Sequence, residues 1–234
     1  MSKLNWISDA NLNESVTHLL EKAKTARNTA ENKFGKNVID PFSALFETAG
    51  FKLNFEDWKK SETTRQAQKT LQNHVGDFHQ KILGSVKGWE NLGVGNEVDL
   101  VNHERKMLAE VKNKYNTLTG GKRADLYRTL EGLVMPKASK FKGYTAYYVT
   151  VIPQKPVRFN RLFTPSDKSK GAKCAENELI REIDGAGFYT LITGNENALN
   201  DLFNVLPSVV SDVSNGEMSV PKEKITQFFT AAFG

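Results

Sequence analysis

The chain has 234 residues, which is enough for one large domain or for a domain with an added subdomain. Its composition, 39% hydrophobic and 25% charged, is typical of a globular protein that buries a sizeable core. A net charge of +5 favours a polyanionic partner, and the single cysteine, Cys174, excludes an intrachain disulfide and a zinc site built from cysteines.

The first third of the chain is predicted to be helical, because its apolar residues recur at helical spacing behind residues that cap helices well. The expected helix starts are Ser8 or Asp9, Asp40-Pro41 and Asn54. Gly50 is expected to close the second helix, and the third is long. We therefore assign residues 1–84 to an N-terminal helical region.

The pattern changes in the middle of the chain, after a group of glycines. Glu97–Asn102 and Lys106–Asn113 alternate with period two and predict the strands of a hairpin. Lys122–Val134 is predicted to be a helix. Gly143–Ile152, rich in aromatic and β-branched residues, gives the strongest strand prediction of the chain.

The last third is predicted to mix helices and strands. The expected elements are a basic loop over Pro153–Gly171, a helix over Glu176–Ile183, a strand over Phe188–Thr193, and helices over Ala198–Val213 and Lys222–Phe233. This order predicts an α/β or α+β fold, with a mixed β-sheet flanked by helices. Residues 85–234 would form this core, and residues 1–84 would pack on it in one compact domain.

The predicted hairpin has one apolar face and one charged face. If Glu104-Arg105 is the tip of a two-residue loop, Asp99 faces Glu110 and Glu97 faces Lys112. The apolar face then carries Val98, Leu100, Met107, Ala109 and Val111. The tip lacks the Asn-Gly or Asp-Gly usual in two-residue loops, so a longer loop with only an approximate register remains open.

The charged face is where we expect chemistry. Like charges opposed across strands are destabilising, so a positive group should lie between Asp99 and Glu110. Lys112 supplies one charge, and a hard divalent cation such as Mg²⁺ fits carboxylate oxygens better. Two residues after Glu110, Lys112 lies on the same face, about 6.8 Å along the strand. We predict Asp99, Glu110 and Lys112 as catalytic, and Asp99, Glu110 and Glu97 as ligands of Mg²⁺ for phosphodiester hydrolysis.

Asp99, followed after ten residues by Glu110-Val111-Lys112, resembles the motif of the PD-(D/E)XK nuclease superfamily. The helix and the strand that follow the motif in that superfamily correspond to Lys122–Val134 and Gly143–Ile152. Val98 stands where the motif has proline, a position that varies within the superfamily. The resemblance implies a restriction-endonuclease-like core.

Longer stretches resemble the type II restriction endonucleases that recognise GGNCC-like sites. These stretches are LNWISDANL, GNEVDLVNHERKMLAEVKNKYNTLTGGKRADLY and GFYTLITGNENALNDLF, and they span most of the chain. The resemblance implies Mg²⁺-dependent cleavage of double-stranded DNA at a short palindrome by a homodimer, because a palindrome calls for a two-fold protein. A cognate DNA methyltransferase would act on the same site without needing to bind the chain.

Basic residues after the hairpin are candidates for DNA contacts. They are Lys114, Lys122, Arg123, Arg158 and Arg161. Thr119–Lys122 lacks the glycine spacing of a nucleotide phosphate loop, and Arg123 stands where that loop needs serine or threonine, which excludes a nucleoside triphosphatase. The turn can place N–H groups near a DNA phosphate or be an ordinary turn. Arg158 and Arg161 are the first candidates for contacts to guanine, although a solvated basic surface remains the alternative.

Other functions remain open at this point. A repair or recombination nuclease of the same fold would cut by structure rather than at a palindrome, and a DNA-binding protein without catalysis would bind without metal and not cut. A solvated hairpin face with a Glu97–Lys112 salt bridge is the structural alternative. The polar start through Ser8 and the lack of a membrane-spanning apolar stretch favour a cytoplasmic protein with no membrane partner.

Overall fold

The computed structural model describes residues 2–234, and these form two compact units. One unit combines the residues up to Glu14 with His79–Gly234, and the other is Ser15–Phe78. The sequence-based division fell at residue 84, close to the second boundary. It did not separate the first 14 residues from the rest of the helical region, because chain order alone does not tell which unit a segment joins.

Three long helices make up the N-terminal region. They are α1 (Asp9–Asn32), α2 (Pro41–Gly50) and α3 (Phe55–Gly84), with a 3-10 turn at Phe34–Lys36. Each begins where the sequence predicted, behind a side chain that accepts a backbone N–H bond in the first turn. The bonds are Asn11 N–H to Ser8 Oγ at 3.2 Å, Phe42 N–H to Asp40 Oδ1 at 2.9 Å, and Asp57 N–H to Asn54 Oδ1 at 2.9 Å.

The other unit contains a six-stranded mixed sheet. Its strands are β1 (Glu90–Asn91), β2 (Leu100–Asn102), β3 (Met107–Lys114), β4 (Thr145–Ile152), β5 (Asn160–Leu162) and β8 (Ile180–Asp184). The order is β1-β2-β3-β4-β8-β5, in which β3, β4 and β8 are parallel and the other pairings are antiparallel. A separate two-stranded ribbon joins β6 (Ser166–Asp167) and β7 (Ala172–Lys173). The predicted fold class is confirmed.

Helices cover both faces of the sheet. Helix α4 (Gly120–Val134) covers one face and α5 (Gly185–Thr193) covers the other. Helix α6 (Ala198–Val213) packs on α5, and α7 (Lys222–Phe233) meets α6 where the rings of Phe203 and Phe229 stack. On one face, Tyr127 and Leu130 of α4 pack into a buried cluster with Leu108 and Ala146 of the sheet. On the other face, the ring of Phe188 in α5 lies 5.9 Å from that of Tyr147. No helix among residues 2–234 is long and apolar enough to cross a bilayer.

Two predictions near the end of the chain are wrong. Glu176–Ile183, predicted as a helix, overlaps β8, and Phe188–Thr193, predicted as a strand, belongs to α5. The β-branched and aromatic residues of α5 favour a strand locally, but tertiary packing overrides that preference. Gly185 allows the start of α5 to lie against β4, since a Cβ there would be 2.4 Å from the Val151 carbonyl oxygen. A short strand, β5, also crosses the stretch predicted as a basic loop.

Candidate active site

The hairpin of β2 and β3 has the predicted register. Leu100 lies opposite Ala109, and Val101 lies opposite Leu108. The connecting segment has four residues, 103–106, instead of a two-residue tip. Lys106 has a positive φ of 51° in this loop. In two-residue hairpin turns, glycine or asparagine usually occupies such positions.

Asp99 is fixed at the point where the ladder between β2 and β3 ends. Its backbone N–H still donates to the Ala109 carbonyl at 3.0 Å, but its carboxylate Oδ2 accepts the Val111 N–H at 2.7 Å. The side chain thus replaces the next backbone bond of the ladder. Because Val111 stands between Glu110 and Lys112, this bond holds the Asp99 carboxylate beside both of them.

Glu110 and Lys112 form a partly buried ion pair on the same face of β3. Their side chains are 15% and 24% exposed, and the Lys112 Nζ lies 2.5 Å from Glu110 Oε1. Burial and the negative charge of Asp99 raise the pKa of Glu110 to about 6, against the opposing effect of Lys112. The like-charge repulsion expected between Asp99 and Glu110 is therefore present in the folded chain.

Lys112 keeps its proton in this setting. Burial alone would lower the pKa of its ammonium group, but attraction to Glu110 and Asp99 outweighs burial and raises that pKa. Lys112 is consequently a hydrogen-bond donor and a positive charge at neutral pH, and not a base.

Glu97 does not join this group. It is exposed, in a bend before Val98, and no set of three His, Cys, Asp or Glu side chains among residues 2–234 is arranged to hold a metal ion. The expected opposition of Glu97 and Lys112 is wrong, because strand pairing stops at Leu100. Val98 packs with Val101 in the cluster under α4, so the predicted alternation does not continue past the end of the ladder.

The sheet adds a third carboxylate to the same face. Glu110 pairs in register with Tyr148 of β4, and Tyr148 pairs with Glu182 of β8, so the three side chains lie side by side. Glu182 is buried, and so is the Tyr148 hydroxyl, which has no hydrogen-bond partner within residues 2–234. Sequence reasoning missed Glu182 because it placed this residue in a helix. Its signal was an acidic residue between the apolar neighbours Ile180 and Ile183.

Two of the predicted DNA-binding arginines meet at Glu182. Arg123, in the first turn of α4, donates through Nη2 to Glu182 at 2.8 Å, and Arg161 donates through Nε at 2.7 Å. The guanidinium carbon of Arg123 also lies 5.2 Å from the ring centroid of Tyr148. Arg161 is more open, with 66% of its side chain exposed above the ring of Phe159. Two arginines thus lie beside the row that contains Glu110.

The remaining predicted DNA-binding residues are exposed. Arg158 donates to Thr190 Oγ1 at 3.3 Å and to the Glu196 carbonyl at 3.2 Å, which ties the segment before β5 to the end of α5. Lys114 ends β3, the strand that carries Glu110, and Lys122 stands in the first turn of α4. Both lysines have solvated ammonium groups suited to phosphate contacts.

A mixed sheet that holds an aspartate, a Glu-x-Lys pair and a following helix and strand is consistent with the core of a restriction endonuclease. Residues 4–215 match the sequence profile of the Eco47II restriction endonuclease family, and the chain belongs to that family.

Two type II restriction enzymes are similar to this chain over most of its length. The chain is 51% identical over 240 residues to the type II restriction enzyme Eco47II of Escherichia coli, with both chains covered completely. It is 32% identical over 213 residues to the type II restriction enzyme Sau96I of Staphylococcus aureus, which covers 89% of this chain and 80% of that enzyme. The predicted activity, that of a site-specific restriction endonuclease acting on double-stranded DNA, is confirmed.

Proposed function

We propose that this restriction endonuclease hydrolyses one phosphodiester bond in each strand of a short palindromic, GGNCC-like site, as a homodimer that requires Mg²⁺. Asp99 and Glu110 are the proposed metal ligands, and Lys112 is the proposed catalytic cation. The observation that carries the proposal is the bond from Val111 N–H to Asp99, which keeps two repelling carboxylates together beside a lysine.

The donor set fits a hard divalent cation. Asp99 and Glu110 offer carboxylate oxygens, which Mg²⁺ prefers, and only a few protein ligands are needed because the ion keeps several waters. Burial and, after it, the negative charge of Asp99 raise the pKa of Glu110, and a bound cation would offset both unfavourable effects. When bound there, Mg²⁺ supplies stabilisation of the negative charge that develops on the phosphoryl oxygens.

Lys112 contributes through its charge. Its raised pKa keeps the ammonium protonated, so its N–H groups can donate to a non-bridging phosphate oxygen or orient the attacking water. The hydrogen bond to Glu110 fixes where the ammonium lies before DNA arrives. The nucleophilic water must lose its proton elsewhere, because Lys112 has no free position to accept one.

The basic residues divide into two proposed roles. Lys114, Lys122 and Arg123 would neutralise backbone phosphates near the cleaved bond, the contacts that fix the position of a protein on DNA. Arg158 and Arg161 would contact base edges, since paired N–H donors match guanine O6 and N7. Glu182 anchors Arg161 through Nε and so restricts the orientation of its guanidinium.

The proposed enzyme acts as a homodimer on DNA that a methyltransferase can protect. Two copies related by a two-fold axis would each cut one strand of the palindrome. A DNA methyltransferase acting on the same site would protect host DNA without binding this chain.

Asp99→Asn, compared with Glu104→Gln, tests the proposed site. Both changes remove one carboxylate charge, but Glu104 lies exposed in the loop between β2 and β3. We expect Asp99→Asn to lose Mg²⁺-dependent cleavage by at least about 100-fold, the scale of losing one electrostatic stabiliser of the transition state. Glu104→Gln should cut at the wild-type rate.

Single-turnover cleavage of a supercoiled plasmid over a range of Mg²⁺ concentrations gives this comparison. Equal activity of Asp99→Asn and wild type at every Mg²⁺ concentration would rule out the proposed metal ligands.

A further inference from the structure

Helix α2 turns its apolar face towards solvent. Its half-buried residues are Ala44, Glu47 and Thr48, and the residues on the opposite side of the helix are exposed. That exposed side consists of Phe42, Leu45, Phe46 and Ala49, at the i, i+3, i+4, i+7 spacing of a single stripe. We call these four residues the α2 face. Its three large side chains are 73%, 60% and 70% exposed.

This orientation is built into the helical unit. Trp58 of α3 is 5% exposed, and its indole N–H donates to Glu47 at 2.9 Å, which fixes the polar side of α2 inward. Asp40 and Pro41 define the start of the helix. The rotation that would bury Phe42 and Phe46 within the unit would break the bond between Glu47 and Trp58.

Val38, Phe51 and Phe55, close to α2 in sequence, are exposed as well, whereas exposed hydrophobic side chains farther along the chain are scattered. Val94, Val157 and Phe228 are single exposed residues on different elements, which is ordinary for a protein surface. On the α2 face, three large apolar side chains are neighbours on one ten-residue helix. Continuous exposed apolar stripes of this kind are typical of interaction surfaces.

We propose that the α2 face is where two copies of this chain join. This inference rests on the proposed homodimer and adds the location of its interface. At about 200 Å² for a whole aromatic side chain, the exposed fractions of Phe42, Leu45 and Phe46 correspond to roughly 400 Å² of apolar surface in each copy.

The area matches the needs of a stable dimer. If about 65% of a homodimer interface is apolar, this stripe implies roughly 600 Å² buried in each copy. The total of about 1,200 Å² exceeds the roughly 1,000 Å² that separates specific interfaces from accidental ones. A single exposed phenylalanine in each copy would leave the total buried area below this value.

The charges around the α2 face suit a copy of itself. A two-fold interface brings each central residue close to its own counterpart, so a central charge would meet a like charge. The four residues of the α2 face carry no charge. Exposed Asp40 precedes the helix and exposed Lys52 follows it. In an antiparallel crossing of two α2 helices, each about 15 Å long, Asp40 of one copy would lie near Lys52 of the other.

Charge swapping at the centre of the α2 face tests the proposal. Phe46→Glu and Phe46→Lys each place like charges together across the two-fold axis, so each variant alone should be monomeric. Mixed in equal amounts, the two variants should form a heterodimer, because opposite charges then meet. Phe228→Glu, which also replaces an exposed phenylalanine on a helix, is the matched control and should stay dimeric.

Sedimentation equilibrium of the purified full chain measures the mass of each sample against the 26.2 kDa of one copy. We expect a wild-type dimer and a rise of about 1,000-fold in the dimer dissociation constant for Phe46→Glu, since symmetry removes two hot-spot side chains at once. Thermal melts confirm that each variant is folded, and Phe42→Ser provides a second, uncharged disruption that should also weaken the dimer.

Three results would overturn the inference. A wild-type monomer at micromolar concentration would mean that the α2 face serves another partner. A dimer that survives Phe46→Glu would mean that the copies join elsewhere. A mixture of Phe46→Glu and Phe46→Lys that stays monomeric would exclude the two-fold contact.

Cleavage of plasmid by the wild type is measured separately and distinguishes this inference from the proposed function. An active enzyme with an intact dimer after Phe46→Glu refutes only the interface. A dimer that Phe46→Glu disrupts, but that does not cut with Mg²⁺, refutes only the proposed function.

Discussion

Replacing Glu110 with glutamine should stabilise the metal-free protein while removing activity. Burial and Asp99 raise the pKa of Glu110 from 4.5 to about 6, a change that already includes the opposing attraction of Lys112. At 1.36 kcal/mol for each pKa unit, the ionised carboxylate costs about 2 kcal/mol of folding stability at neutral pH. Glu110→Gln keeps the shape and removes that charge, so its melting temperature should rise by about 4–8 °C.

The gain should depend on pH in a defined way. Below pH 4.5 the carboxyl of Glu110 is protonated in both the folded and the unfolded chain. The charge of Glu110 then costs no folding stability, and Glu110→Gln should be no more stable than the wild type. Between pH 4.5 and about 6 the unfolded chain releases its proton first, so the stability of the wild type falls as pH rises. Above about pH 6 the difference between Glu110→Gln and wild type should be constant and largest.

Magnesium should reverse the order of stabilities. A ligand at 100 times its dissociation constant stabilises the folded state by about 2.7 kcal/mol, and we expect this for the wild type and not for Glu110→Gln. Urea unfolding of both proteins at pH 5 and pH 8, with and without Mg²⁺, measures their free energies of unfolding. A cleavage assay run in parallel measures their activity. If Glu110→Gln unfolds at lower urea than wild type at pH 8 without metal, the carboxylate is a stabilising ion-pair member and the reasoning is wrong.

Three further predictions follow from the site. Lys112→Ala should abolish cleavage in single-turnover assays but leave gel-shift affinity largely unchanged, and cutting at near the wild-type rate would exclude its catalytic role. DNA binding should weaken with salt by about 0.9 in log K against log salt for each neutralised phosphate, so a flat dependence would exclude backbone docking. Arg161→Ala should cost about 1–3 kcal/mol in binding a cognate duplex and much less on random DNA, and equal losses on both would exclude base reading.

Local sequence signals predicted a large part of the fold. The starts of α1, α2 and α3 follow from capping side chains that act within one helical turn, and β4 follows from its aromatic and β-branched residues. The hairpin register also followed from a local rule, because a tip at Glu104-Arg105 places Leu100 opposite Ala109.

Non-local packing decided what the sequence did not predict. The segment of α5 contains residues that favour strands, yet Gly185 allows close contact with β4 and the cap, Asp184, accepts the Gly187 N–H at 2.8 Å. A helix was predicted over Glu176–Ile183, but Glu182 lies in a buried strand, where its charge is paired with Arg123 and Arg161 from distant segments of the chain. Both interactions join residues that are distant in the sequence, so local sequence patterns do not predict them.

The candidate site likewise contains residues that local spacing predicted and residues that only distant strand pairing brings in. Asp99, Glu110 and Lys112 are carried by one hairpin, so their spacing in the sequence was enough to predict that they meet. The expected place of Glu97 failed because the Asp99 side chain takes over the pairing with β3 and ends the ladder. Tyr148 and Glu182 were missed because they reach the site through parallel pairing of strands that are distant in the chain.

The central claim is that Asp99, Glu110 and Lys112 direct Mg²⁺-dependent cutting of both strands at one short palindrome. Digestion of a plasmid of known sequence with Mg²⁺, followed by sequencing of the fragment ends, tests it most directly. We expect every end to fall within a GGNCC-like site, at symmetric positions in the two strands, and no ends when EDTA replaces Mg²⁺ or when Asp99→Asn replaces the wild type. Ends scattered without a shared sequence, or unchanged cutting in EDTA, would contradict the account.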